Sequence, residues 1–231
     1  MPESETLRIS KLSYITFFYF IIVQPALAVI FMGDPAEILE QLAISPILLL
    51  YMPTIVFQWL LFALILVTVY RERTGLKGIG FTGIRLIHFM WAIAFLLISN
   101  FLLSILALGL SYFGIEIPGE LGLILPGTTV ERIFWVVLSL TAGIVEETIF
   151  RGYLITRIKQ FGRLKSWLIP IVISSLAFGS GHTYQGLGGF ILISIYGAMY
   201  AFLFIRTKSL WPCIIAHFFQ DFSAIFYPYQ S

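Results

Sequence analysis

Seven long apolar stretches alternate with short polar connections along the 231-residue chain. They run approximately from Leu12 to Met32, Ile44 to Tyr70, Leu86 to Phe113, Ile133 to Ile155, Trp167 to Gly181, Leu187 to Ile205 and Leu210 to Tyr227. Within each stretch the apolar positions are nearly continuous, without the strict alternation of a membrane-barrel strand. A helix crosses the roughly 30 Å hydrocarbon core with about 20 residues, and the fifth and seventh stretches are the shortest. Backbone groups in lipid must bond within their own segment, so each stretch predicts a helix. Pro25, Pro53 and Pro170 lie inside these stretches and predict kinks. No internal repeat, low-complexity tract or soluble segment interrupts the pattern, which predicts one integral membrane domain over residues 1–231.

Composition narrows the reading. The chain is 59% hydrophobic and only 11% charged, against about 25% charged in an ordinary soluble domain. Too little polar surface remains to cover a water-facing globule, which excludes a soluble enzyme. Abundant Phe, Ile and Leu exclude disorder by the same figures. The net charge of +2 comes without a basic run interleaved with aromatics, so no nucleic-acid partner is expected. The lone Cys213 excludes an internal disulfide framework and a cysteine metal cluster. The expected fold is an all-α polytopic bundle of about seven transmembrane helices, with membrane lipid as its surroundings.

Charge in the connections predicts an orientation. Arg8 and Lys11 precede the first stretch, and Arg71, Arg73, Lys77 and Arg85 fill the second connection. Arg157, Lys159, Arg163 and Lys165 fill the fourth, and Arg206 with Lys208 the sixth. The alternate connections carry Asp34, Glu37, Glu40, Glu116, Glu120 and Glu131, with Arg132 as their basic residue. Positive charge marks the cytoplasmic side, so the N-terminus is expected in the cytoplasm and the C-terminus outside, in the cell membrane. Arg8, Lys11 and the Ala26-Leu27-Ala28 run also imitate a signal peptide with a cleavage site. The apolar run continues through Phe31, beyond that point, and the expected reading is a first membrane helix.

Ionisable residues within the stretches are costly and mark function. Glu146, Glu147 and Arg151 lie in the fourth, His182 ends the fifth, and His217 with Asp221 lies in the seventh. The first three stretches contribute only His88, beside a basic connection. Glu147 and Arg151 are spaced four apart with the acid first, the favourable order for a helical pair. Glu146 points about 100° away from Glu147 around the helix, so Arg151 compensates Glu147 and leaves Glu146 for chemistry. His217 and Asp221 are again four apart and share a face. Helical rise places Glu146 and Asp221 about 16 Å from the cytoplasmic ends of their helices, but His182 about 24 Å from Ser166. Strong tilt, or a fifth helix beginning near Pro170, is needed to bring them level.

Read as motifs, these residues are Glu146-Glu147-Thr148-Ile149-Phe150-Arg151-Gly152, Phe178-Gly179-Ser180-Gly181-His182 and His217-Phe218-Phe219-Gln220-Asp221. The set resembles the CAAX protease and bacteriocin-processing family of intramembrane glutamic endopeptidases, which includes the type II CAAX prenyl endopeptidases. That signature is two adjacent glutamates with an arginine four after the second, then Phe-x-x-x-His, then His-x-x-x-Asn or Asp. All three parts occur in order, over a motif-bearing core of about residues 131–227. The resemblance implies a peptide-bond hydrolase in which Glu146, helped by His182, activates water. It implies that His217 and Asp221 cradle the oxyanion, with Glu147 and Arg151 as support. An ionised Asp221 cannot donate a hydrogen bond, so in this scheme it is protonated or orients His217. The implied substrate is a lipidated or membrane-associated peptide, and no cofactor is implied.

Other chemistries use the same residue types. Glu, two His and Asp are acceptable zinc ligands, although no His-Glu-x-x-His occurs. Ser180 between glycines and Cys213 one turn before His217 are candidate nucleophiles. Intramembrane Glu, His and Asp also build proton relays in transporters, against which stands the lack of repeated halves. A non-catalytic membrane immunity factor that keeps the motif as a fold element is a further alternative.

Overall fold

The computed structural model describes residues 9–226, which are helical nearly throughout and contain no strand. Arg8 and Tyr227, used above as a charge marker and a stretch end, lie outside the described residues. Five helical runs are long and apolar enough to cross a membrane: Lys11–Ile30, Ile47–Arg71, Leu86–Tyr112, Thr129–Phe161 and Thr183–Thr207. The remaining two stretches are helices of 13 residues, Leu168–Ser180, and 12 residues, Trp211–Phe222. At 1.5 Å per residue these rise about 20 and 18 Å, well short of the hydrocarbon thickness.

The first run consists of α1 (Lys11–Phe18), a π segment (Tyr19–Val23) and α2 (Gln24–Ile30). A short amphipathic helix, α3 (Pro35–Ala43), follows, capped by Asp34, whose carboxylate accepts from Ala36 N at 2.8 Å. The second run is a π segment (Ile47–Tyr51) leading into α4 (Met52–Arg71). The expected kinks at Pro25 and Pro53 thus take the form of π segments placed just before each proline. A proline ring clashes with the carbonyl four residues back, here Ile21 and Leu49, and both lie in the widened turns. Pro170 produces no kink because it occupies the first turn of its helix, where N–H groups have no helical partner.

The third run is α5 (Leu86–Tyr112), a peripheral helix whose outer face exposes Ile93, Leu97, Phe101 and Leu108. The fourth comprises α6 (Thr129–Glu146), a π segment (Glu147–Leu154) and α7 (Ile155–Phe161). Thr128 starts α6 with a capping box: its hydroxyl accepts from Glu131 N at 3.2 Å while its N–H donates to Glu131 Oε2 at 2.8 Å. The short fifth helix is α8 (Leu168–Ser180), the sixth is α9 (Gly186–Thr207) and the seventh α10 (Trp211–Phe222).

The core has two parts. Phe20, Ile65, Val145, Ile149, Phe150 and Phe178 pack together from the first, second, fourth and fifth stretches. Ile155, Tyr196, Tyr200, Leu210, Cys213 and Ala216 join α7, α9 and α10. Thr16 and Thr68 share a hydroxyl bond at 2.9 Å, and Tyr153 donates to Ser13 O at 3.1 Å, which ties the first run into the bundle. α3 packs against the 119–124 and 183–185 turns at one end of the bundle. At the other end Leu210 N donates to Gly80 O at 2.9 Å and the Thr82 and Ser209 hydroxyls meet at 2.8 Å. The acidic connections therefore gather at one end and the basic ones at the other.

One basic residue departs from that pattern. Arg157 is not a headgroup-facing marker: it is fully buried and pairs with Glu72, its Nε donating to Glu72 Oε2 at 3.1 Å. Thr74 and Thr156 accept from the same guanidinium at 3.2 and 3.0 Å.

Candidate active site

The fourth run brings three charges into the bundle through a change of helix type. All eight residues of the π segment Glu147–Leu154 are buried. Hydroxyls donate to backbone carbonyls in and beside it: Thr148 to Ile144 O at 2.6 Å and Ser174 to Phe150 O at 2.8 Å. Thr156 donates to Gly152 O at 2.7 Å. Gly152 is required because a Cβ there would meet the Ile79 carbonyl at 2.7 Å. Single π turns inside α-helices recur at functional sites.

Glu147 and Arg151 keep their pairing despite the wider turn, with Arg151 Nη1 3.0 Å from Glu147 Oε1. Both are buried, and Arg151 Nη2 also donates to Gly197 O at 3.3 Å. Its guanidinium lies over the Phe178 ring at 4.2 Å and the Tyr200 ring at 5.1 Å, faces that attract a desolvated cation. Gly197 leaves room for this, since a Cβ there would stand 3.3 Å from Arg151 Nη2.

His217, on α10, is the hub. Its Nδ1 lies 2.8 Å from Glu147 Oε1, so this carboxylate, paired in the sequence reading with Arg151, also holds the imidazole. A carboxylate only accepts, so Nδ1 donates, and Nε2 is the nitrogen left facing the remaining acids. Asp221 Oδ2 lies 3.4 Å from that Nε2, and Glu146 Oε2 lies 3.8 Å from it. Tyr200 stacks on the His217 ring at 5.6 Å. Orientation of the imidazole thus comes from Glu147 at one nitrogen, while Glu146 and Asp221 share the other.

Glu146 is not free of contacts, as the spacing suggested. Gln58, on α4, donates from Nε2 to Glu146 Oε1 at 2.7 Å. Gln58 carries no charge, so ionisable groups alone do not reveal it; its signal in the sequence is one amide within an apolar stretch whose other polar side chains are Ser45, Thr54 and Thr68. Tyr196 and Tyr200 were likewise not singled out. Tyr200 donates to Tyr196 at 3.0 Å, and Tyr196 to Gln220 Oε1 at 3.3 Å, where Asn100 of α5 also donates at 2.9 Å.

His182 sits just after α8, one aromatic ring away from His217. Its Nδ1 is 3.2 Å from its own Phe178 carbonyl. The Phe178 ring stands 5.2 Å from the His182 ring and 6.3 Å from the His217 ring. Among the described residues no hydrogen bond or ion pair joins His182 to Glu146. The alternative nucleophiles have other partners: Ser180 donates to Ala177 O at 2.7 Å, and Cys213 to Tyr200 O at 3.6 Å. Glu146 and Asp221 approach the same nitrogen of His217, and no group of three or more His, Cys, Asp or Glu side chains placed to hold a metal ion occurs among the described residues.

Residues 128–223 match the family model described as type II CAAX prenyl endopeptidase Rce1-like. No curated protein and no solved structure matches the chain. The matched segment runs from the cap of α6 to the residue after α10 and contains all three motifs. Gln58 lies outside it.

Proposed function

We propose that this chain, which carries a type II CAAX prenyl endopeptidase Rce1-like domain at residues 128–223, is an intramembrane endopeptidase acting through water activated by Glu146. The observation that carries the reading is the convergence of Glu146 and Asp221 on His217 Nε2, at 3.8 and 3.4 Å, while Glu147 holds Nδ1. Glu146 takes a proton from water as the water oxygen bonds to the scissile carbonyl carbon. With its Nδ1–H held by Glu147, His217 in the imidazolium form donates from Nε2 to the oxygen that becomes anionic, while Asp221, 3.4 Å from that nitrogen, orients the ring. The proton then passes to the departing amine nitrogen as the C–N bond breaks. His182 joins when substrate is bound, since catalytic contacts are often long in the free enzyme and tighten in the complex. Glu147 and Arg151 hold His217 and the π segment.

The substrate in this reading is a membrane-associated or lipidated peptide, with a prenylated C-terminal tail as the family's own class. The segregation of basic and acidic connections to opposite ends supports a multi-pass protein of the cell membrane with its N-terminal end in the cytoplasm. The test uses purified protein in lipid nanodiscs and a prenylated fluorogenic CaaX peptide. Glu146→Ala is expected to abolish cleavage, whereas Ser180→Ala and Cys213→Ala retain it. Retained cleavage in Glu146→Ala overturns the mechanism. Loss of cleavage on exhaustive chelation, restored by zinc, replaces it with a metal-dependent one. Membrane-peptide termini compared between cells with wild-type protein and cells with Glu146→Ala identify the natural cut as one that vanishes.

A further inference from the structure

We infer that Gln58, on α4 and outside the family-matched segment, is a positioning residue that presents Glu146 for proton abstraction; this rests on Glu146 being the base proposed above. Gln58 is 8% exposed, within the run Val56-Phe57-Gln58-Trp59-Leu60. Its Nε2 donates to Glu146 Oε1 at 2.7 Å, and its own Oε1 is buried and accepts no hydrogen bond. An amide withdrawn from water with only part of its bonding satisfied is more costly than an apolar side chain of the same size. The fold does not require that cost for docking α4 on α6. Trp59 Nε1, one residue on, already donates to Thr141 Oγ1 of α6 at 3.2 Å, and Tyr51, just before α4, packs edge-on against Trp135 of α6 at 5.3 Å.

The amide instead distinguishes the two oxygens of Glu146. A hydrogen bond to a carboxylate is shorter and stronger than a neutral one, so Oε1 is held. Oε2 is left on the His217 side, 3.8 Å from Nε2. In the proposed step Oε2 receives the proton from water while the water oxygen bonds to the carbonyl carbon, and the same proton leaves with the amine. Gln58 changes no bond in that sequence. It fixes the rotamer and the direction of the lone pair that does.

Gln58→Met keeps the side-chain length and removes the donor, and Gln58→Leu is its companion. Isotope-edited infrared spectroscopy with ¹³C-glutamate, in which the Glu146 band is identified by its loss in Glu146→Gln, reads the contact without any substrate. The Glu146 carboxylate band is expected to shift in both Gln58 variants, and an unshifted band overturns the inference. On the prenylated fluorogenic CaaX peptide, kcat is expected to fall about 10- to 100-fold, the scale of a hydrogen bond to a charged group. KM should stay within about two-fold, with an unchanged or higher melting temperature. A kcat within about two-fold of wild type overturns the positioning role, as does a loss of kcat that tracks a lowered melting temperature. Full turnover in Glu146→Gln instead defeats the underlying glutamate reading, an outcome separate from either Gln58 result.

Discussion

Arg151 is surrounded by one carboxylate, one backbone carbonyl and two aromatic faces, and no part of it reaches solvent beyond 1% exposure. Removing one member of a buried charge pair strands the other, at a cost of about 3–5 kcal/mol. Arg151→Met is therefore expected to lower the melting temperature sharply, and Glu147→Gln in the same chain to recover part of the loss. A melting curve of Arg151→Met that overlays the wild type would sink this account. The pair itself was legible in the sequence because four-residue spacing is a local signal. The bond from His217 to Glu147 was not, since 70 residues separate them and only the packing of α10 on α6 brings them together. Arg157 shows the opposite failure. Its place in a basic connection concealed that Glu72, 85 residues earlier, meets it in the interior.

α6 and α10 are held close enough to share a site by a missing side chain. A Cβ on Gly143 would lie 3.1 Å from Ile214 O and 3.2 Å from Phe218 N, both backbone atoms of the facing helix. Gly143 is three residues before Glu146, and His217 lies between those two contacts. Gly143→Val is expected to push the helices apart, destabilise the protein by about 1–3 kcal/mol, and reduce peptide cleavage at least about ten-fold. Gly109→Val, on the open face of α5 with nothing near its Cβ position, serves as the control and should preserve both. Equal activity in the two variants would mean that the α6–α10 spacing does not govern the site. The positions of the helices were readable from continuous apolar runs, with ends shifted by a few residues. The π segments were not readable, because a widened turn has no compositional mark. Even so, prolines four residues beyond Ile21 and Leu49 supply the steric reason for two of them.

Across the whole molecule, the buried Cys213 makes a topology test simple, since its replacement leaves a cysteine-free background. In Cys213→Ala protein, Glu116→Cys should react with a membrane-impermeant maleimide from outside intact cells. Lys165→Cys should react only in inside-out vesicles. The reverse pattern would invert the proposed orientation, and labelling of both from one side would break the alternation of connections. Charge distribution made the gathering of acidic and basic connections at opposite ends legible before any packing was known, and the labelling decides which end faces the cytoplasm. The contribution of the first three stretches was not legible, since it is made by uncharged side chains: Gln58 to Glu146, and Asn100 to Gln220.

The brevity of α8 and α10 has a bearing on supply. Hydrolysis consumes a water molecule for every bond cut, and hydrocarbon holds almost none. Two helices that rise only about 20 and 18 Å are shorter than the roughly 30 Å hydrocarbon core. Lipid beside such short helices thins or dimples to cover the mismatch. His182 and Asp221 stand at their C-terminal ends. Under the proposed mechanism, a bilayer that thins around these two short helices is also a well, bringing the aqueous phase toward the depth at which Glu146 takes its reactant.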